Sequence, residues 1–194
     1  KDYFCTLLLH YLSSTDETLV FKGGTCLAKV YAGFYRLSED LDFVISASAD
    51  SLRSVRSRKM ATAKNAISRI SEKLSAFRLL QPLTGTNNST QYIAVVGYSS
   101  LLGKTEETIK IEIGLREPLL TPSFPGLVTT ILLSPITGKP MIPTFPMTCI
   151  SYNEGMAEKF RAALSRREPA IRDFYDIHYA ISHLNLNPGD ASFI

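Results

Sequence analysis

Two short groups of residues near the start of the chain have the types and spacing needed for chemistry on phosphates. The glycine pair Gly23-Gly24 follows an apolar run, and Asp40 and Asp42 stand one residue apart before another. A glycine has no side chain, so its backbone can come close to a ligand. Because side chains alternate along a strand, Asp40 and Asp42 share a face about 7 Å apart, where they repel each other unless a cation lies between them. Together the two groups indicate a site that takes a metal ion and a phosphate.

The local sequence predicts how the glycine pair is positioned. The letters "LVFK" (19–22) are typical of a short buried strand that ends at the glycines, and residues 25–34 are typical of a helix with Thr25 as its N-cap. Free backbone N–H groups at a helix N-terminus bind phosphate, and the Thr25 hydroxyl adds a donor there. Magnesium suits the aspartates, because it prefers oxygen ligands and keeps positions open for substrate phosphates.

A third carboxylate is predicted on a separate strand. In "TIKIEIGL" (108–115) apolar residues alternate with polar ones, so Glu112 lies on the polar face. This strand could pair beside Asp40 and Asp42. A third carboxylate is what a two-metal phosphoryl-transfer site needs to hold the second ion and to activate an attacking hydroxyl.

Hydrophobic periodicity and turn signals predict the remaining elements. A long helix is expected because apolar residues repeat at four-three spacing between 63 and 77. The predicted elements are a helix over 4–12, a strand over 41–45, the long helix over 51–80, a turn over 83–90, strands over 91–98 and 106–115 around the turn "SSLLGK", and helices over 153–167 and 170–184.

The length of 194 residues is enough for one core with an appendage. We expect a core over 1–115, a Pro-rich connector packed on it over 116–147, and a C-terminal helical part over 148–194. The prolines of the connector leave room only for short extended pieces such as "VTTILL". The chain opens without Met and stops abruptly, so we expect an ordered fragment of a longer protein whose helical part is incomplete.

Composition favours a folded cytoplasmic protein. No apolar run reaches the roughly 18 residues of a membrane span, and no signal peptide is recognisable. Cys5, Cys26 and Cys149 are scattered without CxxC spacing, which favours a reducing cytosol and argues against structural zinc. The histidines show no ligand spacing, so no transition-metal site is expected.

The net charge of +3 is distributed unevenly along the chain. Residues 1–50 are rich in acids, whereas every charged residue between 53 and 78 except Glu72 is basic. An acidic site beside a basic surface suits a metal-dependent enzyme with a polyanionic substrate. A solvated helix face is the alternative interpretation of the basic run.

The order of these parts resembles a known superfamily. A strand, a glycine pair, a helix and a spaced Asp-x-Asp resemble the nucleotidyltransferases related to DNA polymerase beta. The fuller string "KGGTCLAKVY…RLSEDLDFVI" looks more specifically like the AbiEii type of abortive-infection toxin, which includes the mycobacterial MenT toxins. The first family motif is Gly-Gly-Thr/Ser-x-Leu. The second, Arg-x-Ser-x-Asp-apolar-Asp, is matched by Arg36, Ser38, Asp40 and Asp42.

A third family motif is a helix with a lysine, followed by an Arg-Asp-x-x-Asp string. It is matched here by Lys159, Arg166, Arg172, Asp173 and Asp176. The resemblance implies that Lys159 offers a cation to a nucleoside triphosphate and that Asp173 has a functional role. The role of Asp176 stays open: one of the two aspartates could orient Lys159 or Arg36 while the other caps or pairs. An intrahelical ion pair is the alternative interpretation of "RDFYD".

The resemblance implies a fold, a reaction and a biological setting. The fold is α/β (α+β), a small mixed sheet flanked by helices with a C-terminal helical part that closes the cleft. The reaction is transfer of a nucleoside monophosphate from a triphosphate (NTP) to an acceptor hydroxyl, with Mg²⁺ or Mn²⁺. The setting is a type IV-like toxin–antitoxin pair, with a cognate antitoxin and with RNA, such as a transfer-RNA 3′ end, bound through the basic run 53–78.

The motifs and the resemblance together predict the individual site residues. We expect Asp40 and Asp42 to hold the metals and Glu112, placed by the alternation of its strand, to complete the set. The nucleotide is bound by Gly23, Gly24, Thr25, Arg36, Ser38 and Lys159.

Two other functions stay open at this point. The nearer one is a nucleotidyltransferase that modifies a small molecule or a protein. The more distant one is a non-catalytic nucleotide-binding module, against which the three strand carboxylates argue.

Overall fold

Seven strands form one mixed sheet in the computed structural model, which describes residues 1–48, 50–100, 103, 105–115 and 118–187. The strands are β1 (Val20–Lys22), β2 (Leu41–Val44), β3 (Phe77–Thr86), β4 (Gln91–Ser99), β5 (Glu106–Gly114), β6 (Phe124–Val128) and β7 (Phe145–Cys149). Their order across the sheet is β3-β4-β5-β2-β1-β7-β6.

The middle of the sheet holds the strand that carries the second motif. Strand β2 pairs in parallel with β5 and antiparallel with β1, and β1 pairs in parallel with β7. The register places Asp42 beside Glu112 on one side and beside Lys22 on the other. The two predicted strands at 19–22 and 41–45 are therefore confirmed to within one residue.

Alternation along the strands explains why this region folds as a sheet. The side chains of Ile109, Ile111 and Ile113 are fully buried, while Lys110 and Glu112 between them are half-buried. Leu41 and Phe43 alternate in the same way on β2. The predicted pair at 91–98 and 106–115 is observed as the antiparallel strands β4 and β5. Positions 101, 102 and 104 of the predicted "SSLLGK" turn lie outside the described residues.

The longest described helices agree with the sequence prediction. The helices predicted over 4–12, 153–167 and 170–184 are observed at Asp2–Thr15, Tyr152–Ser165 and Ile171–His183. No helix in the described part of the chain combines the length and apolarity needed to cross a membrane. The helices are α1 (Asp2–Thr15), α2 (Gly23–Cys26), which continues as a π-helical segment (Leu27–Tyr31), α3 (Arg53–Lys59), α4 (Ala61–Ser68), α5 (Ile70–Lys73), α6 (Tyr152–Ser165) and α7 (Ile171–His183).

The prediction of one long helix over 51–80 is wrong. The segment forms the three short helices α3, α4 and α5, and then the edge strand β3. Helix α5 ends before Leu74, whose backbone is extended, and Phe77 pairs with Tyr98 of β4. Phe77 is buried in the core, so pairing with a distant strand overrides the helical spacing of the local sequence.

The turn predicted over 83–90 begins later than expected. Strand β3 runs to Thr86, and a 3₁₀ turn at Asn87–Ser89 follows, in which all three residues have positive φ. Pro82 lies inside β3, on a sheet edge where a missing N–H removes no ladder bond. The register shifts between Leu79 and Gln81 and again between Gln81 and Thr84, and the second shift spans Pro82.

The Pro-rich segment 116–147 contributes more to the sheet than short extended pieces. Strand β6 lies within it, and β7 begins there and lies directly against β1. Its first two positions, 116 and 117, lie outside the described residues. The domain boundaries at 115 and 147 stay a prediction.

Part of the basic run serves the fold. Arg56 is 6% exposed, and its guanidinium donates to the backbone carbonyls of Ser51 and of Asn88, the latter at 3.0 Å. Lys59 donates to the carbonyl of Ser46 at 2.7 Å. The run 53–78 is thus neither one helix nor a uniformly exposed face, and the guanidinium of Arg56 is directed to backbone carbonyls.

We predict that Arg56→Ala lowers the free energy of unfolding by about 1–3 kcal/mol, because two carbonyls lose a charged donor. This corresponds to a melting temperature lower by roughly 2–10 °C for a chain of this size. Arg58→Ala, at an exposed position of the same helix, should change it little. Equal melting temperatures for the two variants, measured by circular dichroism, would contradict the anchoring role of Arg56.

Candidate active site

A cleft of about 770 Å³ is lined by residues of the sheet and of helices α6 and α7. It collects almost all the side chains that the sequence analysis singled out. Thr25 is the one predicted site residue that is not part of its lining. The predicted residues that line it are Gly23, Gly24, Arg36, Ser38, Asp40, Asp42, Glu112, Lys159 and Asp173.

The glycine pair makes room for side chains of the second motif. Gly23 has φ +75°, and the Asp42 carboxylate lies where a β-carbon on Gly23 would be. A β-carbon on Gly24 would lie 2.7 Å from Nη2 of Arg36 and 3.2 Å from Oγ of Ser38. The two motifs are therefore in direct contact, and each glycine is required by a different neighbour.

The expected role of Thr25 as a helix cap is wrong. The helix already begins at Gly23, so Thr25 lies inside it and is 1% exposed. Its hydroxyl donates to the backbone carbonyl of Asp40 at 2.5 Å and lies 2.9 Å from Oγ of Ser38. Thr25 thus fixes the backbone where the chain enters β2, which positions Asp40 and Asp42.

The acidic side of the cleft is formed by β2 and β5. Burial, together with the negative charges of Glu112 and Asp40, raises the pKa of Asp42 to about 6. Glu112 accepts hydrogen bonds from Gln91 Nε2 at 2.5 Å and from Lys110 Nζ at 3.3 Å. A buried carboxylate beside two others is a poor arrangement unless positive charge is supplied.

The donor chemistry of this side fits a hard divalent cation, because all three groups are carboxylates. As the side chains stand, no group of three His, Cys, Asp or Glu residues in the described part of the chain is close enough to hold an ion. To act as the third ligand, Glu112 would have to give up its hydrogen bonds with Gln91 and Lys110 and bind the ion instead. The residues therefore fit a metal in type and in backbone register, but the side chains are not closed around one.

The opposite side of the cleft carries the third motif. Nζ of Lys159 lies 2.9 Å from Asp173 Oδ1 and 2.9 Å from Asp176 Oδ2. The side chains of Asp173 and Asp176 are 1% and 0% exposed, so both are fully buried. Nη1 of Arg166 lies 2.6 Å from Asp173 Oδ2. The two aspartates belong to α7, whereas Lys159 belongs to α6 and Arg166 follows the end of α6. The ion pairs therefore join two helices and are not the intrahelical pair of the alternative interpretation.

Asp176 joins the second motif to the third. Its two oxygens accept from Nε and Nη2 of Arg36 at 2.5 and 2.6 Å, and Oδ1 also accepts from the Tyr35 hydroxyl at 2.5 Å. Burial alone would raise the pKa of Asp176, but the hydrogen bonds from Arg36, Tyr35 and Lys159 hold it below its ordinary value. The sequence analysis left Asp176 open and missed Tyr35, because nothing in the local sequence shows which distant cation an aspartate meets.

A second ion pair connects the two sides. Nζ of Lys22, on β1 next to the glycine pair, lies 2.6 Å from Oε1 of Glu158 on α6. Both residues line the cleft, and both were missed by the sequence analysis. Their separation in the chain left no local pattern that could have paired them.

The family assignment rests on a match that covers almost the whole length of the chain. Residues 6–193 match the family described as nucleotidyl transferase AbiEii toxin, type IV TA system. This chain belongs to that AbiEii family. The resemblance drawn from the glycine pair and from the Asp-x-Asp is thereby confirmed. A search of curated proteins finds no match to this AbiEii chain.

Two solved structures are similar to the AbiEii chain. JHP933 from Helicobacter pylori shares 21% sequence identity with a TM-score of 0.59, over 94% of this chain and 65% of that one. A candidate nucleotidyltransferase from H. pylori shares 21% identity with a TM-score of 0.58, over 94% of this chain and 67% of that one. At this identity the likeness shows the fold, which confirms a nucleotidyltransferase-type mixed sheet with C-terminal helices. The chain spans 65% of the length of JHP933.

We predict that Gly23→Ala destabilises the AbiEii fold more than Gly33→Ala does. Both glycines have positive φ, which costs an alanine about 1–2 kcal/mol. A β-carbon at Gly33 meets nothing within 4 Å, whereas one at Gly23 meets the Asp42 carboxylate. The extra loss at Gly23, about 1–3 kcal/mol, is measured by urea unfolding. Equal losses for the two variants would show that the contact with Asp42 does not constrain position 23.

We predict that Asp176→Asn lowers the free energy of unfolding at pH 7 by about 3–5 kcal/mol, because a buried ion-pair network loses its shared acceptor. The folded pKa of Asp176 lies below the ordinary 3.8. The ionised Asp176 therefore contributes its full share to the free energy of unfolding above pH 3.8. This contribution is lost as the pH falls through the lower pKa of the folded protein. Urea unfolding of both proteins from pH 7 to pH 3 should show the difference shrinking only at the acid end.

Tyr35→Phe provides the matched control, since it removes only one hydrogen bond to Asp176. It should cost about 1 kcal/mol, with little dependence on pH in this range. An Asp176→Asn protein as stable as Tyr35→Phe at pH 7 would contradict a central role for Asp176.

Proposed function

We propose that the chain transfers a nucleoside monophosphate from an NTP to an acceptor hydroxyl and releases pyrophosphate. The observation that carries this proposal is the convergence of the three motifs on one cleft. The Asp42 carboxylate lies against Gly23 and in register with Glu112, and Lys159 lines the same cleft. The family description supports the reaction class.

Asp40 and Asp42 are proposed to hold Mg²⁺ or Mn²⁺, with Glu112 completing the set. A bound ion would supply positive charge to the phosphates and lower the pKa of the acceptor hydroxyl. The chain's own contribution is the alignment of carboxylates by the sheet. Because β2 and β5 run in parallel and in register at Asp42 and Glu112, the backbone itself places the two residues side by side.

The phosphates are proposed to bind between the glycine pair and Lys159. Backbone N–H groups at Gly23 and Gly24 open the helix, where anions are favoured. Lys159 supplies a cation that offsets the charge developing as pyrophosphate leaves. Asp173 and Asp176 orient its ammonium group by accepting two of its three N–H donors. The third donor can then bind a phosphate oxygen while both ion pairs are kept. Arg36 and Ser38 line the cleft near Gly24.

RNA, such as a transfer-RNA 3′ end, is proposed as the acceptor. The buried Arg56 weakens the case for the run 53–78 as its binding surface. A better-placed set of cations lies on the cleft wall itself, in Arg161, Arg166 and Arg172 of the C-terminal helical part. Neutralisation of phosphates by such side chains is the usual source of affinity for RNA.

An antitoxin partner is proposed from the family description, which places its members in type IV TA systems. A cytoplasmic location, expected from composition, stays a prediction. The alternative acceptors are a small molecule or a protein. The labelling experiment below distinguishes them from RNA.

We predict that Asp42→Asn lowers nucleotide transfer by at least about 100-fold while the fold is retained, since the variant loses a metal-ligand charge. The measurement incubates the protein with Mg²⁺, each labelled NTP, and either total RNA or cell lysate. Label is expected in RNA. The melting temperature of Asp42→Asn without metal should equal or exceed that of the wild type, because a repelled buried charge is removed.

Asp50→Asn is the matched control, because Asp50 is an exposed carboxylate that is not part of the cleft lining. It should transfer label at the wild-type rate. A folded Asp42→Asn protein with near-normal transfer would refute the proposed metal site. Label in protein or in small molecules alone would refute RNA as the acceptor and leave the reaction class in place.

A further inference from the structure

A buried glutamate on helix α6 binds the backbone of the chain at the cleft edge. Glu154 is 8% exposed. Its Oε1 accepts from the Leu120 backbone N–H at 2.8 Å, and its Oε2 accepts from the Thr121 backbone N–H at 3.0 Å. The Thr121 hydroxyl donates to Oε2 at 2.7 Å and lies 2.7 Å from Oγ of Ser151. Both oxygens of a buried carboxylate are therefore used to hold one short piece of backbone.

The position of Glu154 in its helix makes this arrangement unusual. Ser151 is the N-cap of α6, and its Oγ accepts from the Glu154 backbone N–H. A glutamate three residues after such a cap ordinarily folds back to the N–H of the cap residue. Here the glutamate reaches outward to Leu120 and Thr121 instead. The first turn of a helix favours negative charge, and the donors from Leu120 and Thr121 satisfy both oxygens of the carboxylate.

The backbone held in this way forms an uncharged part of the cleft lining. Residues 118–120, which we name the cleft lip, are Pro118, Leu119 and Leu120, and all three line the cleft. Leu119 packs against the main core, whereas Leu120 is 85% exposed. Three adjacent uncharged residues on a fixed backbone thus line a cleft whose other walls are largely charged or polar, and apolar lining of this kind receives the apolar part of a ligand.

The geometry points to the cleft lip as the nucleobase subsite, with Leu120 packing on the base and Glu154 acting as a positioning residue. The inference rests on the proposed function and extends it, because it names the part of the cleft that distinguishes a nucleotide from a bare polyphosphate. The cleft has the required polarity. Its charged lining residues belong to the strands, to the loop before β2 and to the C-terminal helical part, whereas Pro118, Leu119 and Leu120 carry no charge. A base is planar and mostly apolar on its faces, which suits contact with an aliphatic side chain.

The test compares nucleotide binding with binding of a ligand that lacks the base. Isothermal titration with Mg²⁺ is carried out for each of the four ribonucleoside triphosphates and for inorganic tripolyphosphate. Leu120→Ser is expected to weaken the affinity for the preferred nucleoside triphosphate by about 10-fold, as for the loss of one apolar contact, and to leave tripolyphosphate unchanged. Because Leu120 is exposed, this variant should keep the wild-type melting temperature.

Two further variants test whether the change in affinity is specific to the cleft lip. Leu127→Ser changes another exposed leucine, which is on β6 and not part of the cleft lining, and should alter neither ligand. Glu154→Gln replaces an oxygen that accepts N–H bonds by an amide donor. It should weaken binding of the nucleoside triphosphate and not of tripolyphosphate, whatever it does to the melting temperature.

Each outcome of the titration supports or overturns a distinct claim. A Leu120→Ser protein that binds both ligands as the wild type does, or that loses both equally, overturns the nucleobase subsite while the phosphate site stands. An unchanged ratio of the two affinities in Glu154→Gln overturns the positioning role of Glu154. Wild-type protein that binds neither a nucleoside triphosphate nor tripolyphosphate overturns the proposed function, and the subsite with it.

Discussion

The buried carboxylate of Asp176 is the contact on which the arrangement of the cleft depends. It receives the forked guanidinium of Arg36 from the loop before β2 and the ammonium of Lys159 from α6, while itself belonging to α7. A fully buried charge is tolerated only with such partners, so these three segments are held at fixed distances from one another. The two sides of the cleft are thereby joined at one point, and Lys22 with Glu158 ties them at a second.

The same contacts explain why the glycine pair has two constraints instead of one. Gly24 lies beneath the guanidinium that Asp176 holds, and Gly23 lies beneath the carboxylate of Asp42. A ligand that approaches these glycines therefore meets groups of both signs that are already fixed. Fixed charges of this kind stabilise a reacting phosphate without the cost of reorganising a flexible side chain at that moment.

The parts that the sequence could predict are those whose pattern is local. The alternating isoleucines of β5 placed Glu112 on the polar face, and the register confirms it beside Asp42. Strand β3 was missed because Phe77 obeys a helical spacing until it pairs with β4, and pairing with a distant segment leaves no local trace. Thr25 was misassigned for a similar reason, since only the folded chain brings the Asp40 carbonyl within reach of its hydroxyl. The motif residues could be named from the chain, but not their partners.

The parallel pairing of β1 with β7 has a consequence for the order in which the molecule is completed during synthesis. Phe21 is joined to Cys149, so β1 lacks one of its two neighbours until most of the chain has left the ribosome. Contacts of such long sequence separation form slowly, because a large loop must close before they contribute. The glycine pair follows directly on β1, and Lys159 and Asp176 are made later still. Asp40, Asp42 and Glu112 are therefore made before Lys159, so the complete cleft can form only after α6 and α7 have been synthesised.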